Sequence, residues 1–254
     1  MSAAVALEID GRVARLVFDR PEVLNAGDAR WVADLCRACE TLAAEPAVRV
    51  VVMTGRGRAF QTGVDLDALA RGDLRLDDLV RWEDAMTAME RMDKLFVAAI
   101  NGHAIGGGLQ LALVCDYRLA SADALFGLPA VNECLVPSMA LYRLPRLIGL
   151  GRAQDLILTG RLIPAAEAER YGLVNRIVPA EAFAAAVDET VETLLALPPT
   201  SAGVSKRLVP RAFDLAFDDF RREMQAGLAD CFASDDHRAA MDAILARRRS
   251  PPTR

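Results

Sequence analysis

The 254-residue chain has almost no histidine: His103 and His237 are the full count, too few for a His-rich metal site. Cysteine is sparse as well, with five residues at 36, 39, 115, 134 and 231, odd in number and set among apolar neighbours. That usage argues against a disulfide scaffold and suits reduced thiols in a cytoplasm. Cys36 and Cys39 spell Cys-x-x-Cys, but inside a helix-like run and with no second Cys or His pair downstream, so core packing is favoured over a zinc or redox site. No metal is expected. Charges interrupt every apolar stretch before the roughly 18 residues a membrane helix needs. The first residues already carry Glu8, Asp10, Arg12, Arg15 and Asp19, so neither a membrane span nor a signal peptide is expected. Positive charge is in deficit, 30 basic against 35 acidic residues for a net charge of −5, which leaves no general field to attract nucleic acid. With 17 Gly and 12 Pro the chain is neither collagen-like nor disordered. What remains is a globular protein, 53% hydrophobic and 26% charged, long enough to bury its own core.

Two apolar runs, Val5–Ile9 and Val13–Phe18, flank Asp10-Gly11, a dipeptide suited to a tight hairpin turn. Apolar spacing over Asp28–Ala44 predicts a helix with Asp28 as its N-cap, followed by a β-branched strand at Val48–Met53. An irregular stretch at 59–69 leads to an amphipathic helix over about 76–92 and a buried strand at Phe96–Ile100. That strand ends in Asn101-Gly102-His103-Ala104-Ile105-Gly106-Gly107-Gly108 and runs into an apolar helix over Leu109–Cys115. Strand-like segments at Tyr117–Ala120 and Ala124–Phe126 precede a mixed loop at 128–137. Helices follow near 139–149, 152–158 and 164–171, then a strand at Leu173–Val178 and a helix at 180–196. Pro198-Pro199 is the clearest break. We expect an α/β core over 1–197 and a helical region over 198–254, with helices near 200–212, 217–232 and 235–248 and a frayed basic end at Arg247–Pro252.

Three glycines between a strand and a helix invite a dinucleotide reading, but the third glycine of GxGxxG would fall on Leu111. The phosphate loop GxxxxGK[ST] and the GxSxG elbow are absent too. Two readings of the glycines stay open. They could let a substrate oxygen approach bare backbone N–H groups, or they could merely allow close strand–helix packing. Gly63-Val64, after another buried strand, could present a second N–H donor to the same oxygen.

The segments RPEVLNA (20–26), VVMTGRGRAFQTGVDLDAL (51–69), FVAAINGHAIGGGLQLALVCDYRLAS (96–121), FGLPAVNECLVP (126–137) and 151–179 resemble, in order and spacing, the crotonase superfamily of enoyl-CoA hydratases and isomerases. The resemblance covers nearly the whole chain. It implies a crotonase-like α/β fold of repeated β-β-α units, with a C-terminal helical region used in forming a homotrimer or a hexamer of two trimers. It implies an acyl-CoA substrate whose thioester oxygen is held by the N–H groups of Val64 and Gly107, with coenzyme A entering as part of the substrate and no other cofactor. By the same resemblance Arg20, Asn25, Ala59, Phe60, Gly63, Asp65, Leu66, Gly106 and Lys206 are expected to contact coenzyme A.

Hydratases of this kind carry one glutamate on the helix after the glycines and a second just after the FGxP segment; here those positions hold Gln110 and Ala130. Gln110 can hold a water or donate a hydrogen bond but cannot exchange a proton near neutral pH. Glu133, three residues past Ala130, shares its face if the stretch is helical; it is either a substitute acid/base or a surface carboxylate. His103 is a titrating group or a hydrogen-bonded structural residue. Ser138 and Tyr142 follow the Pro137 loop and are pocket side chains, packing groups or helix caps. Three functions are weighed: a hydratase or isomerase; a decarboxylase, thioesterase or C–C bond hydrolase using the same oxyanion hole; and a silent acyl-CoA binder.

Overall fold

In a computed structural model the structure describes residues 3–249; residues 250–252 of the expected frayed end lie outside them. The chain opens with a hairpin, β1 (Val5–Asp10) and β2 (Val13–Phe18), turned at Gly11 with φ +55°. Helix α1 (Ala29–Ala44) follows, its first turn capped by the Asp28 carboxylate accepting from Trp31 N–H at 2.8 Å. Then one unit repeats three times. β3 (Val50–Gly55) and β4 (Ala59–Gln61) lead to α2 (Leu66–Ala70) and α3 (Leu76–Arg91). β5 (Leu95–Ile100) and β6 (His103–Ile105) lead to α4 (Gly107–Leu113). β7 (Tyr117–Ser121) and β8 (Leu125–Gly127) lead through a 3-10 turn at Pro129–Glu133 to α5 (Ala140–Ile148) and α6 (Leu150–Thr159).

The first strand of each unit enters a six-stranded sheet, ordered β1-β2-β3-β5-β7-β10 with β10 at Arg176–Val178, and the second enters a four-stranded sheet, β4-β6-β8-β9 with β9 at Ile163–Pro164. Both are parallel in their interiors, and each has one antiparallel edge pair, β1 with β2 and β8 with β9. The short β9 (Ile163–Pro164), α7 (Ala165–Tyr171), β10 (Arg176–Val178) and α8 (Phe183–Leu195) complete this part. The predicted strand-like pair 117–126 therefore does not pair with itself: its halves belong to different sheets. This is the expected α/β architecture of repeated β-β-α units.

Phe18, Trp31, Phe60 and Trp82 form a buried aromatic chain, with ring centroids 5.4 Å (Phe18–Trp31), 5.2 Å (Phe18–Phe60) and 4.5 Å (Trp31–Trp82) apart. It ties the hairpin, α1, β4 and α3 into one core. Cys36 and Cys39 lie on the α1 face toward α3, their thiols donating to the carbonyls of Arg81 and Ala85. Burial, with Cys36 and Glu40 adding to it, pushes the Cys39 thiol up to about 12, so it stays protonated.

The chain divides into two compact units, Met1–Glu192 and Thr193–Arg254, five residues ahead of the Pro198-Pro199 break. The second unit holds α9 (Pro199–Arg211), α10 (Phe217–Ala233) and α11 (Asp235–Arg249). Val204 of α9 packs at Gly227 of α10, where an added Cβ would sit 2.6 Å from a Val204 methyl. Among the described residues no helix is long and apolar enough to cross a membrane.

Candidate active site

The chain near Val64 forms a parallel bridge with Gly27: Gly27 N–H donates to Gly63 O at 2.8 Å and Asp65 N–H donates to Gly27 O at 2.9 Å. In such a pair the flanking residues make both bonds, which turns Val64's own N–H away from Gly27. The fully buried Gln61 fixes the preceding residue, its side chain accepting from Gly63 N–H at 2.7 Å and donating to Gly63 O at 2.9 Å. Across from this loop, Gly106 caps α4 and donates its N–H to Gly127 O at 2.9 Å. Gly107 is the first helical residue, whose N–H has no acceptor within its helix. Neither Val64 N–H nor Gly107 N–H has an acceptor among the described residues.

The two loops touch through bare backbone. Gly63 at φ +93° and Gly106 at φ +56° occupy conformations that side chains disfavour, and a Cβ built on Gly63 would lie 3.3 Å from the Gly107 nitrogen. Gly108 acts differently, by letting α4 approach β4: a Cβ there would fall 1.9 Å from Gln61 O. Close helix–strand packing, one of the two readings of the glycine run, is thus seen at Gly108, while the N–H of Gly107 is left without an acceptor among the described residues.

These loops wall a cavity of about 560 Å³. Its sides come from α3 (Leu79, Val80, Trp82, Met86) and from the 129–139 loop (Leu135, Val136, Met139), so it is largely apolar. Of the residues singled out from sequence, Gly63, Val64, Leu66, Gly106, Gly107, Gln110, Ala130, Glu133 and Ser138 line it. The 3-10 turn at Pro129–Glu133 has three residues per turn, so Ala130 and Glu133 stand on the same side, the arrangement expected if the stretch were helical. Glu133 is exposed at the cavity rim. Gln110, one turn past Gly107, has a buried Oε1 with no partner.

Several expected contacts take other roles. Asn25, Ala59 and Phe60 have no accessible surface, which corrects their assignment as direct coenzyme A contacts. Asn25 instead accepts from Arg20 N–H and donates to the carbonyls of Arg56, Ala59 and Phe60, fastening the 20–26 loop to β4. Arg20 bridges Asp28 and Asp65 at 3.2 and 3.1 Å, which ties the same loop to the residue after Val64. Burial works to raise the Asp65 pKa, but the Ala68 N–H and the Arg20 guanidinium outweigh it and hold the carboxyl below its usual range. Arg20 and Asp65 stand outside the cavity wall, as do His103 and Tyr142. His103 pairs on β6 with Ala59, its Nδ1 buried without a partner; Tyr142 is exposed, its ring 3.2 Å from the Arg146 guanidinium carbon. Tyr142 is thus a surface stacking residue rather than a pocket group. Lys206 lies on α9 of the second unit.

Two wall residues escaped the sequence reading. Glu83 on α3 accepts from Ser138 Oγ at 2.7 Å and pairs with Arg143 at 2.8 Å, while Arg143 also grips Glu90 at 2.8 Å. This clamp holds the strained turn at Ser138, with φ +41°, against α3 and so fixes the loop that closes the cavity. The second is Trp82, buried and in contact with Gly107. Both lie on a helix that reads from sequence as a plain amphipathic element; the signal available was a Trp-Glu pair on its apolar side.

The protein is thus an α/β fold of ββα repeats with two amides that lack internal acceptors at a largely apolar cavity. A family model described as enoyl-CoA hydratase/isomerase matches residues 8–252, and the chain belongs to that family. It is similar to a probable enoyl-CoA hydratase of Rhizobium meliloti (strain 1021), 34% identical over 249 residues that cover 96% of this chain and 95% of that one. Among solved structures it is similar to an enoyl-CoA hydratase subunit of Geobacillus kaustophilus, with a TM-score of 0.89, 35% identity and coverage of 99% and 98%. It is likewise similar to a Thermobifida fusca enoyl-CoA hydratase homologue in complex with acetoacetyl-CoA, with a TM-score of 0.83, 35% identity and coverage of 91% and 95%.

Proposed function

We propose that the protein binds an acyl-CoA thioester with its carbonyl oxygen between the N–H groups of Val64 and Gly107 and carries out hydratase- or isomerase-type chemistry at Cα and Cβ. The observation that carries this is the pair of adjacent amides without internal acceptors. As a proton leaves or reaches Cα, negative charge gathers on the thioester oxygen, and donors already fixed in an apolar wall stabilise it without reorganising. Coenzyme A enters as part of the substrate, and Arg20, Gly63, Asp65, Leu66 and Gly106 are proposed for its edge. In place of the two absent glutamates, Glu133 supplies the acid/base group beside Ala130, and Gln110 orients a water.

Decarboxylation of a malonyl-type ester fits less well. Among the described residues the cavity wall includes no Lys, Arg or His, and its Glu83 is already held by Arg143, so an acyl carboxylate would find no cationic partner there. Crotonyl-CoA, followed by loss of enoyl absorbance, is the direct assay. We expect turnover that falls about 10²-fold or more in Glu133→Gln, the usual worth of a positioned acid/base. Equal rates in the two proteins would return Glu133 to the surface, and binding of the ester with no turnover at all would leave a silent acyl-CoA binder.

The assembly is proposed to be a homotrimer or a dimer of trimers. Support comes from the second unit, where Phe213 in the α9–α10 turn and Phe217, Leu228 and Phe232 on α10 are 65%, 80%, 51% and 63% exposed, a load of apolar surface uncommon on a monomer. Light scattering should give three or six times the 27.4 kDa chain mass. A monomer mass would reject the assembly.

A further inference from the structure

The apolar wall of the cavity runs outward along α3. Leu76, Leu79, Val80, Trp82 and Met86 all border it from one side of the helix, and the Glu83 carboxylate among them is already taken up by Ser138 and Arg143. Exposure rises along this stripe: Met86 and Trp82 are buried, Leu79 is half-buried, and Leu76 is 74% exposed. Val136 and Met139 of the 129–139 loop border the same cavity and are exposed as well, Val136 at 75%. Large apolar side chains grouped around an opening mark a surface that something covers. Trp82 lies against Gly107 and so marks the level of the free amides. Leu76 is six residues earlier on the helix, about 9 Å along its axis. At about 1.5 Å per C–C bond, a crotonyl group ends less than about 5 Å from its carbonyl carbon, well short of that mouth.

We infer that the cavity is open-ended along α3 and that Leu76 and Val136, at its mouth, make the protein selective for acyl chains of about eight carbons over four-carbon ones, eight being the length that reaches the level of Leu76. The chemistry of the mouth points to a hydrocarbon. The pantetheine arm of coenzyme A carries amides that need hydrogen-bond partners, and the side chains of Leu76, Val80, Val136 and Met139 offer none. An alkyl tail instead gains from each methylene it lays on them. The inference rests on the proposed thioester site, and its test keeps the two separable.

Calorimetric titration with butyryl-CoA, octanoyl-CoA and dodecanoyl-CoA reads chain length by affinity alone. Each methylene taken from water should tighten binding about threefold, so octanoyl-CoA should bind roughly 50- to 100-fold more tightly than butyryl-CoA. Dodecanoyl-CoA should gain little more, because its last carbons pass the mouth into water. Leu76→Ser combined with Val136→Ser should cut the octanoyl-to-butyryl ratio by about fivefold or more. Leu76→Met combined with Val136→Ile, which keeps the mouth apolar, should hold the ratio. A ratio near one in the unaltered protein, or a serine variant that keeps the full ratio, overturns the inference and leaves the apolar mouth to another occupant, such as a second copy of the chain. If none of the three esters binds the unaltered protein, the thioester site itself is wrong.

Discussion

Gly107→Pro is expected to cut turnover on crotonyl-CoA about 10²–10³-fold below that of Gly107→Ala, the loss associated with one oxyanion donor. The comparison between the two variants is what gives the result meaning. Gly107 is the first residue of α4, a position where proline's fixed φ is compatible with the helix and where no intrahelical hydrogen bond is lost. Any side chain there, however, meets the Trp82 indole, since an added Cβ falls 2.7 Å from two of its carbons. Alanine brings that clash and keeps the N–H; proline brings a similar clash and removes it. The difference in rate between them therefore reports the amide, and the difference between alanine and glycine reports the indole. Equal losses in both variants would assign the effect to Trp82 and remove Gly107 from the oxyanion hole. Far-ultraviolet circular dichroism and the oligomer mass check that α4 and the assembly survive.

The main architecture is legible in the sequence because its elements are long and periodic. Asp10-Gly11 between two apolar runs, the Asp28-capped helix and the β-branched run at Val50–Met53 each carry local physics strong enough to decide the outcome. The smaller sheet is not legible. β4, β6 and β9 span only three, three and two residues, too short for any periodicity, and their pairing depends on partners far off in the chain, such as Ala59 with His103. The site divides along the same line. Its glycines and the Ala130–Glu133 spacing follow from local sequence, whereas the Glu83–Ser138–Arg143 clamp joins residues 55 or more positions apart. Nor does the sequence distinguish a polar residue that faces ligand from one that holds backbone. Asn25 is the clearest case, a fully buried amide that satisfies three carbonyls and reaches no ligand.

Gln110→Glu combined with Ala130→Glu is expected to raise crotonyl-CoA hydration by about 10²–10⁴-fold, the range for a positioned general acid or base. Both positions already border the cavity that holds the two free amides, so the change adds titratable groups to a wall that lacks them there. Gln110 is isosteric with glutamate, and its Oε1 is buried without a partner, so the substitution breaks no internal hydrogen bond. Burial disfavours the charged form of a carboxyl, so the group introduced at 110 should titrate above the ordinary glutamate range. Deprotonated, it serves as the base toward water; the carboxyl introduced at 130, protonated, can deliver a proton to Cα. The rate should then follow a bell-shaped pH profile with a rising limb shifted above that of an exposed glutamate. Each single substitution should fall well short of the pair, since groups that act on one reaction coordinate do not contribute independently. A double variant that still binds butyryl-CoA yet gains no hydration would mean that the cavity holds the acyl chain in a pose unsuited to water addition. The reaction would then have to be sought among those that use the amides without a proton relay at these two positions.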